Sequence, residues 1–203
     1  METQKNTPSL RSGVVGVDLL IIGDADSAAI LASGAGRLGL SVDVADDVSS
    51  ELLRSTRHVH ATSFYRTPEL GSRLAVLFKE AKNHKASTSL AIDDDPSGRW
   101  DRVVLDGALR VTDVLLLNAS AAHALTGHPV LADAAGILAR RGPLVVVRDG
   151  AAGALAHDGS KVRSVGTLPV DAAGDGFDAG YLAAMLRGLG RDRALSIAVE
   201  SAR

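Results

Sequence analysis

The chain has 203 residues, 46% of them hydrophobic, enough to bury a core in one domain, and a single domain over residues 1–203 is expected. A formal net charge of −2 without a long like-charge run excludes a basic surface for nucleic acid or anionic lipid, which leaves a small ligand as the expected partner. With no cysteine, disulfides, thiolate metal sites and cysteine nucleophiles are excluded, and an aromatic content of 3% excludes an extended base-stacking surface.

The opening METQKNTPSLRSG is polar, lacks the apolar centre of a signal peptide, and is expected to be disordered over about a dozen residues. No apolar run reaches membrane-spanning length, so a cytoplasmic protein is expected. Strand-like runs then follow at Val17 to Ile22, Val42 to Ala45, His58 to Ser63, Ser87 to Ile92, Val114 to Leu117 and Leu144 to Arg148. Helical spacing fills Ser27 to Leu38, Pro68 to Asn83, Ala119 to Thr126 and Val130 to Arg141. This alternation predicts βαβ units around a largely parallel sheet with helices on both faces, and ligands in such folds sit beyond the carboxyl ends of the strands. After Arg148 the stretch GAAGALAHDGSKVRSVG predicts two short strands joined at Asp158-Gly159. A helix starts near Asp175 or Phe177, and Arg191 to Arg203 closes the chain.

Four features carry candidate chemistry. Gly34-Ala35-Gly36-Arg37-Leu38-Gly39 matches the dinucleotide fingerprint, but its glycines end a helical run instead of opening one, which favours a helix C-cap and tight packing. His58 and His60 share one face of a strand, as two metal ligands would, yet no third ligand is placed and core histidines are favoured. Asp93-Asp94-Asp95 follows a strand at its carboxyl end and suits either a hard cation or an acidic turn before Pro96. In VDAAGDGFDAGYLAAML, Asp171, Gly174, Asp175 and Asp178 crowd a helix start, where unpaired N–H groups attract anions and glycine admits a close ligand. Taken alone, Asp175 reads more readily as an N-cap or first-turn acid than as a catalytic base.

Ordered blocks along the chain resemble the PfkB family, the ribokinase-like carbohydrate and nucleoside kinases. Asp171, Gly174, Asp175, Phe177, Ala179, Gly180 and Tyr181 match the signature D-T-T-G-A-G-D-x-F-x-A-G-F once the alanine and glycine of G-A-G-D are taken as deleted. Asp113 to Asn118 with Leu125-Thr126-Gly127 resembles the family's strand, asparagine and L-T-G helix, and Val145 to Gly159 its nucleotide-side strand and G-x-x-G turn. Ser89-Leu90 with Asp95 to Trp100 is similar to an S-L-D-x-N-x-D-P-x-G-R-W stretch, and Arg37 to Leu40 and Asp46-Asp47 to its A-R-L-G and G-D-D elements.

The resemblance implies an α/β, ribokinase-like three-layer sandwich and transfer of the γ-phosphoryl group of ATP, with Mg²⁺, to a hydroxyl of a sugar or sugar acid. It implies Asp175 as general base and the N–H groups of Gly174, Gly176 and Phe177 as the phosphate seat. Asn118, Gly150 and Gly153 fall on the nucleotide side, and Asp93 and Asp171 towards the substrate; no residue is assigned to metal. The departures are specific: the glycine turn is two residues short, Ala121 stands at the glutamate of N-x-x-E, and Ala91 at the aspartate of S-L-D. Ala25 to Ile30 replaces the substrate-binding G-G-x-x-x-N, and between Asp47 and Thr56 only VSSELLRS remains where the family inserts its lid. A carbohydrate kinase is therefore expected, with a non-catalytic relative that binds a sugar, nucleotide or protein partner as the alternative. The resemblance is compatible with a homo-oligomer, although a lid-mediated dimer does not carry over.

Overall fold

The computed structural model describes residues 16–166 and 174–202, the side chain of Asp175 excepted; the opening segment and Asp171 lie outside them. Among the described residues, β1 (Leu19–Gly23), β2 (Val42–Val44), β3 (His58–Thr62), β4 (Ser87–Ile92), β5 (Val114–Asn118) and β6 (Leu144–Arg148) are parallel, ordered β2-β1-β3-β4-β5-β6. A hairpin of β7 (Ala154–His157) and β8 (Val162–Val165) continues the sheet antiparallel beyond β6. Its turn is closed by Asp158, whose carboxylate accepts from the N–H groups of Ser160 (3.1 Å) and Lys161 (2.9 Å), as Asp158-Gly159 predicts. All eight of these strands belong to one sheet and none projects as a lid. The edge strand β2 is only three residues long and exposes Asp43, which blunts it against edge-to-edge pairing.

The helices are α1 (Ala25–Arg37), α2 (Ser50–Ser55), α3 (Pro68–Asn83), α4 (Arg102–Leu109), α5 (Ala119–Thr126), α6 (Leu131–Ala139), α7 (Gly174–Leu186) and α8 (Arg191–Ser201). Neither α2 nor α4 is expected from the sequence, and α8 only as a closing segment. With six residues α2 is too short to show a period, while in α4 the sequence RVVLDGAL reads poorly as a helix until Asp101 is seen to cap it, accepting from the Val103 N–H at 2.9 Å.

Strand alternation sorts the core into two layers. Leu20 and Ile22 of β1, with Leu115 and Leu117 of β5, meet α2 through α6; Leu19 and Ile21, with Val114 and Leu116, meet α1, α7 and α8. Strands buried on both faces need continuous apolar runs, and LLIIG and VLLLN supply them. Gly34 lets α1 approach α7, since a Cβ there would lie 3.0 Å from that of Ala179; the fingerprint-like glycines thus serve packing and the helix end.

One polar row crosses this core. His58 and His60 are fully buried, and Ser89 Oγ bridges His58 Nε2 (2.6 Å) and His60 Nδ1 (2.7 Å), while Ser87 Oγ meets His58 Nδ1 at 2.7 Å. A single polarity satisfies the row: His60 Nδ1–H donates to Ser89, Ser89 to His58 Nε2, His58 Nδ1–H to Ser87, and Ser87 to the Arg57 carbonyl at 3.4 Å. His60 Nε2, without a hydrogen-bond partner among the described residues, is then a bare acceptor, which costs less than an orphaned N–H. These are core histidines and not a metal pair.

Burial depresses both imidazoles to about 3, with positive charge on His58 adding to the effect on His60. Because the folded values lie below the unfolded value near 6.5, the unfolded chain takes up protons first, and stability falls as pH drops from about 6.5 towards about 3. Each histidine adds up to about 1.4 kcal/mol per pH unit to that slope. His60→Asn keeps an Nδ1-like donor without a titrating ring, and urea denaturation between pH 7 and pH 5 should show a shallower loss of stability than in the wild type; equal slopes would refute the burial assignment.

Candidate active site

Six parallel strands with returning helices bring strand carboxyl ends and helix N-termini to one edge of the sheet, and the site is built there. At the end of β1, Gly23 has φ +127° and passes β3 so closely that a Cβ would lie 2.4 Å from the Thr62 carbonyl oxygen. The next residue, Asp24, caps α1 by accepting from the Ser27 N–H (3.1 Å) and hydroxyl (2.9 Å). These bonds hold the Asp24 carboxyl below the usual carboxylate range, and the charge of Arg66 adds to them. At the end of β3, Ser63 donates to Ser27 Oγ at 2.9 Å from a left-handed backbone at φ 54°, a strained conformation for a residue with a side chain.

The three aspartates after β4 have three separate employments. Asp94 takes both ends of the Arg66 guanidinium (Nε 3.0 Å, Nη2 2.9 Å), and the carboxylate raises the arginine further above its ordinary value. Asp95 closes its own turn, accepting from the N–H groups of Ser97 (2.9 Å) and Trp100 (2.5 Å), so the acidic-turn reading holds for this residue. Asp93 pairs with Arg148. Among the described residues no group of three or more histidines and carboxylates converges to hold a metal ion.

Asn118 ends β5 and caps α5: its Oδ1 accepts from the Ala121 N–H at 2.8 Å, and its Nδ2 donates to the Asp93 carbonyl at 2.7 Å. Ala121 is fully buried, so no carboxylate occupies that turn. Opposite Asn118 in the ladder is Arg148, the last residue of β6, with a side chain only 14% exposed. Its guanidinium lies against the first residue of α7, where a Cβ on Gly174 would stand 2.3 Å from Nη1. It also faces the Phe177 ring at 6.0 Å, and its Nε is 3.9 Å from Oδ1 of the buried Asp178. Two carboxylates therefore flank a cation that sits at the positive end of a helix dipole, where alone it would be repelled.

Gly174 opens α7 and Asp175 lies in its first turn, one residue from the expected helix start. The other signature glycines also serve packing. A Cβ on Gly176 would meet the Ser201 carbonyl oxygen at 2.8 Å, and one on Gly180 the Ser201 side chain at 2.6 Å, so both let α7 cross α8 closely. Phe177 is fully buried as an anchor of that layer. On the nucleotide side, Gly150 (φ +48°) has open space around it after β6, whereas a Cβ on Gly153 would stand 1.5 Å from the Gly166 carbonyl oxygen; Gly153 is required by the hairpin. Asp93, Asn118, Arg148 and Gly174 are thus brought together, and Ile30, where the family places its substrate-binding asparagine, is 56% exposed on α1. Sequence reasoning missed Asp24, Ser63, Arg66 and Arg148. Only Arg148 left a signal, as a charge ending the apolar run LVVV beside the expected nucleotide turn.

The sequence model of the pfkB family of carbohydrate kinases matches residues 23–203. No curated protein matches the sequence. A crystal structure of a PfkB protein from Polaromonas sp. JS666 shares 20% identity at a TM-score of 0.77, over 93% of this chain and 95% of that one. An adenosine kinase from Sinorhizobium meliloti superposes at a TM-score of 0.79 with 15% identity, covering 92% of each chain. The ribokinase of Arabidopsis thaliana, solved with ribose and ATP, gives 0.71 with 14% identity over 92% of this chain and 91% of its own. The likeness establishes the ribokinase-like fold.

Gly174→Ala should displace the Arg148 guanidinium from its carboxylates and cost about 1–3 kcal/mol in chemical denaturation. Gly36→Ala, in α1 with nothing within 4 Å of the added carbon, should instead stabilise by about 0.5–1 kcal/mol. A Gly174→Ala protein as stable as the wild type would show that Arg148 is not held against the helix.

Proposed function

The chain belongs to the pfkB family of carbohydrate kinases, and from that membership we propose that it transfers the γ-phosphoryl group of ATP to a hydroxyl of a small carbohydrate. The supporting observation is the meeting of Arg148 and Gly174 at the carboxyl edge of the sheet, one residue before Asp175. In this reading Asp175 takes the proton of the acceptor hydroxyl as its oxygen attacks phosphorus, and the N–H groups at the start of α7 meet the charge on the transferred oxygens. Arg148 brings a full positive charge to the place where the family turn, longer by two residues, would supply further amides.

The edge is acidic. Asp24, Asp93, Asp94 and Asp178 outnumber Arg66 and Arg148, so the edge offers a bare polyphosphate little net attraction, and a nucleotide would enter with its charge already neutralised. Mg²⁺ carried in with the nucleotide would supply that neutralisation. The residues around Asn118 do not fit a protein-held magnesium, because both ends of its amide are engaged and Ala121 has no side-chain oxygen. The hydroxyl row of Ser63 and Ser27, ending on Asp24, offers the acceptor side polar groups suited to a polyol.

The same engagement of Asn118 favours a second reading, a binding relative without efficient transfer. A coupled assay with Mg-ATP and a panel of hexoses, pentoses, sugar acids and nucleosides separates the two. Turnover with one sugar class that falls by about 10²- to 10⁴-fold in Asp175→Asn supports the kinase. Absence of turnover with every acceptor, combined with thermal stabilisation by a nucleotide or sugar, supports the binding relative.

A further inference from the structure

The opposite edge of the sheet, where β5 and β6 begin, holds a cleft of about 290 Å³ lined by Asp106, Arg110, Arg140 and Arg141. It forms because α4 and α6 end side by side: Arg110 and Arg140 are their C-caps, and Gly142 comes so close that a Cβ would lie 3.1 Å from the Leu109 carbonyl oxygen. Arg141 pairs with Asp106. Arg110 and Arg140 are exposed and, among the described residues, make no side-chain hydrogen bond or ion pair.

Arginine at a helix C-terminus is ordinary dipole complementation, so the charge balance decides whether anything is left over. Two helix ends carry about −0.5 each. Adding the Asp106 carboxylate gives about −2 against three guanidinium groups, which leaves the cleft at about +1. Two uncommitted planar forks on one concave surface match the paired oxygens of phosphoryl groups, which lysines as point charges would not do.

We propose that this cleft binds a small phosphoryl-bearing polyanion, at a site separate from the carboxyl edge and independent of whether the chain is a kinase. Arg110 and Arg140 grip the anion, and the Arg141–Asp106 pair fixes the wall between them. Isothermal titration calorimetry of the whole chain with sodium pyrophosphate in low-salt buffer tests it. Arg110→Gln/Arg140→Gln should weaken binding by about tenfold or more, with a melting temperature lowered by no more than a few degrees through the lost helix-end charges, and Arg110→Lys/Arg140→Lys should recover only part of the binding. The site is refuted if the wild type binds no pyrophosphate, or if the double glutamine variant binds it as the wild type does. Loss in Arg148→Gln alone would place the anion at the other edge and refute it equally.

Discussion

The direction of the helices governs both ends of this molecule. Six strands run parallel, so each helix that returns between them runs the other way, and the N-termini of α1, α4 and α5 collect at the carboxyl edge of the sheet. Their first turns expose N–H groups and are capped by Asp24, Asp101 and Asn118. Their last turns favour cations, and Arg37, Lys82, Arg110 and Arg140 stand at the ends of α1, α3, α4 and α6. Local capping preferences, repeated in one direction, put acidic and amide caps at the helix starts of one edge and cations at the helix ends of the other, without any large net charge.

An acidic edge is an unlikely neighbour for phosphate unless its carboxylates are otherwise occupied, and here they are. Arg66 binds Asp94, Arg148 binds Asp93 and approaches Asp178, and Asp95 is spent on its own turn. Arg148 is central because it touches three elements: the end of β6, the loop after β4 and the start of α7. A buried cation of this kind is held only while both flanking carboxylates remain. It ties the glycine at the head of α7 to the sheet, so a change there would be felt in the alignment of the whole edge.

Glycine has two physically distinct uses along α7. Gly174 admits a guanidinium, whereas Gly176 and Gly180, four residues apart on one helix face, admit the end of α8. The pattern of small residues is therefore partly the signature of a helix crossing, and the buried Phe177 and Tyr181 fix its other side. This explains how the block can stay recognisable while its turn is shortened: packing alone requires much of it.

The strand order of apolar runs, the helix spacing and the hairpin at Asp158 were legible from the sequence because burial on both faces leaves a continuous apolar record, and turns leave a chemical one. The membership of Asp93, Asn118 and Gly174 in a common site was legible only through resemblance. Arg66, Arg148 and the left-handed Ser63 were not, since nothing local distinguishes an arginine that will cross from β6 to α7 from one that will face water. His58 and His60 show the same limit: their spacing placed them on one face, and only Ser87 and Ser89 from the neighbouring strand made that face a closed, uncharged row. The sequence by itself determined most of the elements, their periodicity and the layered α/β class, all of which depend on neighbours along the chain. Tertiary structure decided the charge partners and the use of each glycine, because those depend on distances between residues far apart in sequence that only the packed sheet sets.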